Sequence, residues 1–122
     1  MELFVNDEMK VAELVSKFSE IYPFLRLEVY YLGEEISNAA HDNLLKDVTK
    51  RKLPHNFSLQ PENTVAEAEE LFWKKMGVQI AIFRKSGKTW LEASYTNYWS
   101  LERQNKKGEE MGDFLTTETR KG

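Results

Sequence analysis

One pattern narrows what this chain can fold into: a strand, an amphipathic helix and a second strand are written twice. Val11-Ala12-Glu13 recurs as Val65-Ala66-Glu67, an offset of 54 residues, and Phe18 recurs as Phe72. Phe4 lands on Phe57. With one residue deleted between helix and strand, Leu25, Leu27 and Val29 fall on Val78, Ile80 and Ile82. Two copies of such a unit make a pseudo-symmetric domain, since a solenoid needs three or more.

The second copy carries the clearer local signals. Thr64 and Glu67 have capping-box spacing, in which the hydroxyl accepts from the Glu67 amide and the carboxylate reaches back. Val65, Ala68, Phe72 and Met76 follow at helical spacing, widened by Leu71, so one face is apolar. Lys74 and Lys75 fall in the last turn, where the helix dipole favours cations, and Gly77 suits a left-handed C-cap. Val78, Ile80 and Ile82 then alternate with Gln79, Ala81 and Phe83, the period of a strand with one buried face. A two-residue turn at Ser86-Gly87 would set Lys85 against Lys88, Phe83 against Trp90 and Ala81 against Glu92. On the other face Ile82 would meet Leu91, Ile80 meet Ala93 and Val78 meet Tyr95, giving a continuous core side.

The first copy reads similarly. Leu3 and Val5 flank Phe4 in a short strand, and Asn6-Asp7 is a turn and cap. Val11, Leu14, Val15, Phe18 and Tyr22 mark a helix that Pro23 ends. Leu25, Leu27, Val29 and Tyr31 form the inward set of the next strand. Between the copies, Ser37 can cap a helix with Ala40, Leu44 and Val48 on one face, ending at Lys50-Arg51-Lys52 before Pro54. Phe57 and Leu59 give a third strand, and Pro61-Glu62-Asn63 turns the chain into Thr64. A last helix starting at Asn97 or Ser100 and stopped by Gly108 completes one domain, residues 1–108. Residues 109–122 read as a tail, polar apart from Met111, Phe114 and Leu115.

These elements predict an α+β fold. The expected form is a two-layer sandwich from a pseudo-repeated βαβ unit, residues 1–32 and 56–84, with a hairpin of 78–84 and 88–95 and helices on one face of one sheet. A ferredoxin-like variant is the first expectation and a β-grasp-like one the second.

Composition bears mainly on function. Seventeen basic against twenty acidic residues, a net charge of -3, ranks nucleic acid behind protein as a partner. The absence of cysteine removes disulfides and thiolate metal sites and fits a reducing compartment. No signal peptide and no membrane-spanning run is read, so a cytoplasmic location is expected. The two histidines, His41 and His55, have no metal-ligand spacing, so no metal or cofactor is expected. No GxSxG, GxxxxGK[ST] or GxGxxG occurs. The carboxylates at Glu34-Glu35, at Glu67, Glu69 and Glu70, and at Glu109-Glu110 read as solvated faces unless one is buried.

The distinctive surface is the outer hairpin face, Phe83, Lys85, Lys88 and Trp90. As a ligand surface it offers rings to stack on and ammonium groups for anions. As plain structure it is a cross-strand aromatic pair worth roughly 0.2–1 kcal/mol, with lysines guarding an edge strand.

The run TVAEAEELFWKKMGVQIAIFRKSGKTWLE, with WSLERQNKKGEEM after it, resembles a group of small uncharacterised bacterial proteins carrying a TVAELE…F…G…QVFRKSG…W motif. The likeness covers roughly the C-terminal half. This chain departs from it at Ala68, which replaces a leucine, and at Tyr98-Trp99-Ser100 before the final helix. The resemblance implies a small free-standing bacterial domain and no activity. Without a catalytic motif, the sequence favours a non-enzymatic interaction or regulatory module binding another protein or itself as a homodimer. The alternatives are a nucleic-acid-binding domain using the aromatic and basic sheet face and, last, an enzyme with a dispersed acidic site.

Overall fold

The computed structural model describes residues 1–31, 34–35, 41–49 and 53–121. In order, the elements are β1 (Leu3–Val5), α1 (Val11–Ile21), β2 (Leu25–Tyr31), β3 (Glu34–Glu35), α2 (Leu45–Val48), β4 (Phe57–Leu59), α3 (Val65–Leu71), β5 (Gln79–Ser86), β6 (Thr89–Glu92) and α4 (Leu101–Lys121). The class is α+β, as expected. The expected cap at Ser37, with Ala40 and Lys50-Arg51-Lys52, lies outside the described residues, and α2 itself is one turn from Leu45.

The strands divide into two antiparallel sheets, β1-β4 and β3-β2-β5-β6, where a single sheet was expected. A ferredoxin-like order would place β2 and β5 on either side of the β1–β4 pair. Here they pair with each other instead, with Leu27 opposite Ile82 and Val29 opposite Ile80. Leu25, Leu27, Val29, Ile80 and Ile82 are all buried, and their alternation partners are not. The alternation is obeyed because one face meets oil and the other water.

The same backbone hydrogen bonds occur in both halves. Val11 N–H donates to the Asn43 carbonyl at 3.0 Å, as Val65 does to Trp99 at 3.2 Å. Leu45 donates to Met9 and Leu101 to Asn63, both at 2.8 Å. Lys46 donates to Asp7 at 2.8 Å, and Glu102 to Pro61 at 3.1 Å. Each bond tethers the start of α2 or α4 to the turn before α1 or α3, a link that residue spacing did not reveal. One alignment changes: in the β1–β4 ladder Leu3 faces Leu59 and Val5 faces Phe57, so Leu3 is the counterpart of Phe57. Phe4 points outward and is 54% exposed.

Helix α3 is held at its start by the anticipated capping box, with Thr64 Oγ1 accepting from Glu67 N–H at 3.1 Å and Glu67 Oε1 accepting from Thr64 N–H at 2.8 Å. It continues as a π-helical turn, Phe72–Met76, that ends on Gly77 at φ 71°. That left-handed residue does in one step what Pro23-Phe24 does after α1, which absorbs the one-residue deletion. A single core joins both halves: Leu14 and Phe18 of α1 and Phe72 and Met76 of the π turn are fully buried with Leu59, Leu101 and the inward strand residues.

Gly108 does not stop the last helix, which runs on to Lys121. Its role is close approach. A Cβ there would lie 2.9 Å from both Phe24 Cβ and the Phe24 carbonyl oxygen, so only hydrogen lets α4 settle against the entry to β2.

Candidate functional site

The hairpin turn sits one residue later than expected. Ser86 pairs with Thr89, Lys85 with Trp90, Arg84 with Leu91 and Phe83 with Glu92, leaving Gly87-Lys88 as the turn. A tight hairpin turn needs positive φ at its first central residue. Gly87 supplies it at φ 61°, whereas a Ser86-Gly87 turn would demand it of serine. Thr89 Oγ1 adds a hydrogen bond to the Ser86 carbonyl at 3.0 Å.

The shift keeps the faces but changes the neighbours. Phe83, Lys85 and Trp90 share the outer face with Arg26, Glu28, Tyr30, Gln79, Ala81 and Glu92, and none of these nine is buried. Phe83 and Trp90 stand diagonally and are not paired. Lys85 lies across from Trp90 with its Nζ 5.0 Å from the ring centroid, a cation–π contact. Lys88 sits in the turn, exposed. Arg26 is tied to Glu28 at 2.6 Å. On the inward side, Ala93 is buried opposite Ile82, to whose carbonyl its amide donates at 2.9 Å. Leu91 at 50% and Tyr95 at 95% exposure do not join the core: Leu91 stands opposite Arg84, and Tyr95 lies in the turns that follow Ala93.

Because β6 ends at Glu92, the N-terminal part of β5, paired with β2 on one side, has no strand on the other. There a groove of about 490 Å³ opens, lined by Tyr30, Glu69, Glu70, Trp73, Gln79, Ile80, Ala81 and Glu92. Burial raises the Glu69 carboxyl above its ordinary value, and the nearby Glu92 charge adds to the effect. Glu70 is paired with Lys74 at 2.5 Å. Residue spacing did not single out Trp73, 58% exposed. The available signal was that Phe72 and Trp73 are adjacent, so one helical face cannot take both rings.

A second ring cluster surrounds Trp99, with the Arg103 guanidinium 3.9 Å and the Arg84 guanidinium 5.7 Å from its centroid. Buried Gln104 organises it, accepting from Arg84 Nη1 at 3.0 Å and donating to the Thr96 carbonyl at 2.6 Å. The histidines take no part in either cluster: His55 is exposed and His41 half-buried. Among the described residues no group of histidine and acidic side chains could hold a metal, and no helix is long and apolar enough to cross a membrane. Comparison of the chain with protein-family models, curated proteins and solved structures finds no match in any of the three.

Proposed function

We propose that this chain is a small non-enzymatic interaction module, built from an internally repeated unit, that binds another protein or a second copy of itself through the outer face of its four-stranded sheet. The observation that carries this reading is the one-sidedness of that sheet. The inward residues Leu25, Leu27, Val29, Ile80 and Ile82 are buried, while the outward set around Phe83 and Trp90 meets water. Aromatic rings flanked by charges are the composition of contact surfaces. The recurring backbone bonds of the two halves support the repeat. A bacterial domain in the reducing cytoplasm is the setting proposed, on the cysteine-free sequence and the resemblance of the C-terminal half.

The test is the double variant Phe83→Ser, Trp90→Ser, checked for intact fold by circular dichroism. Loss of partner capture, or of concentration-dependent self-association in sedimentation, is the expected outcome. Unchanged association in both assays removes the reading. Nucleic acid ranks second, because Glu28 and Glu92 share the face with Lys85 and Arg26 is already paired with Glu28. Failure to shift single-stranded RNA or DNA at low salt closes that alternative.

A further inference from the structure

We propose that the groove beyond the end of β6 docks an extended peptide segment bearing a lysine or arginine, which adds to the open edge of β5. This rests on the interaction-module reading and names the partner's chemistry at a site next to the hairpin face.

The backbone argument comes first. Ala93 N–H donates to the Ile82 carbonyl, so the polar groups of Ile82 point toward β6. Residues two apart in a strand point the same way, so the N–H and C=O of Ile80 point to that side as well. No residue of β6 lies opposite Ile80, because the ladder ends at Phe83 and Glu92. Gln79–Ala81 therefore presents about 10 Å of strand edge, at roughly 3.3 Å per residue, to the groove. Such an edge is a template for another strand.

The side chains select the occupant. Trp73 and Tyr30 line the groove with rings that can stack on a guanidinium or face an ammonium. Glu69 and Glu92 lie close enough for one to raise the proton affinity of the other, and among the described residues neither forms an ion pair. Two like charges without a counter-ion favour a cation from outside, and repel an acidic segment. Main-chain bonds to Ile80 would give affinity, and a basic side chain between the rings and carboxylates would give specificity.

The test uses the full chain, isotope-labelled, with the synthetic peptide acetyl-Val-Thr-Lys-Thr-Val-amide. Controls carry glutamate for the lysine, or methylated backbone nitrogens that cannot form a ladder. The expected result is that the lysine peptide shifts the Ile80 and Trp73 resonances and slows exchange of the Ile80 amide. Neither control does so, and Glu69→Gln with Glu92→Gln weakens binding roughly fivefold or more. Equal binding of lysine and glutamate peptides, or no response at Ile80, overturns the proposal. So does protection of the Ile80 amide without peptide in a sedimenting dimer, which would assign the edge to a second copy. If the peptide fails while Phe83→Ser, Trp90→Ser still abolishes association, the groove is wrong and the hairpin face stands. If the peptide binds while that double variant changes nothing, the face is wrong and the groove stands.

Discussion

Tyr22 follows α1 with its ring 5.2 Å from that of Phe18 and its hydroxyl buried without a hydrogen-bond partner among the described residues. Burial pushes the phenol up to about 12 from 10.0, helped by the charges of Glu62 and Glu102. In the unfolded chain the same group ionises near 10, so its contribution to stability is whole below pH 10 and is lost as the pH climbs toward 12. Tyr22→Phe should be as stable as the parent at pH 7, or more so by up to about 1 kcal/mol, because an unpaired hydroxyl leaves the core. Its advantage should then widen between pH 10 and 12, and a constant difference in melting temperature across that range would disprove the shielding. That Tyr22 belongs to the core was legible, since it continues the spacing of Val11, Leu14 and Phe18. That its oxygen finds no partner among the described residues was not, because spacing reports which way a side chain points and nothing about what it meets there.

At the level of elements, helix α4 holds the sharpest contrast. Alanine in a helix interior is favoured over glycine by about 1 kcal/mol, and Gly112, with nothing within 4 Å of an added Cβ, should gain that from Gly112→Ala. At Gly108 the Cβ would press on the Phe24 backbone, and overpacking of this kind costs about 1–3 kcal/mol. Gly108→Ala, the overpacking set against the same helical gain, should therefore lower stability by up to about 2 kcal/mol in urea melts. Equal effects at the two sites would show that α4 does not lie against the start of β2. Reading Gly108 as a helix stop failed because a glycine in sequence looks the same whether it ends a helix or lets a neighbour in. The hairpin failed by a single step for a related reason: Ser86-Gly87-Lys88 allows two turns, and only the positive φ of Gly87 chooses between them. The capped helix α3 was legible in full through its first two turns, since Thr64 and Glu67 specify their bonds locally. Its π turn was not, since Phe72 and Met76 fall at ordinary α-helical spacing in the sequence.

For the molecule as a whole, both central pairings cross between halves: β1 lies on β4, and β2 on β5. Among the described residues, neither copy has a partner of its own for either strand, apart from the short β3 and β6 at the edges. The class α+β could be read from the sequence because helix and strand periods are local, but the sheet order could not, since nothing in an alternating strand names its neighbour. A fragment of residues 1–53 should be largely unfolded as a monomer, and so should residues 54–122. Mixing the two should restore circular dichroism and a single cooperative transition. Either fragment folding alone would refute the interlocked arrangement.

The crossing of β2 to β5 also bears on synthesis. While the ribosome is still making the second half, Leu25, Leu27 and Val29 have left the tunnel with no strand to lie beside, and they remain so until Ser86 emerges. Until then this nascent chain carries a naked oily ribbon, the kind of segment that holding chaperones grip, and its four-stranded sheet cannot close.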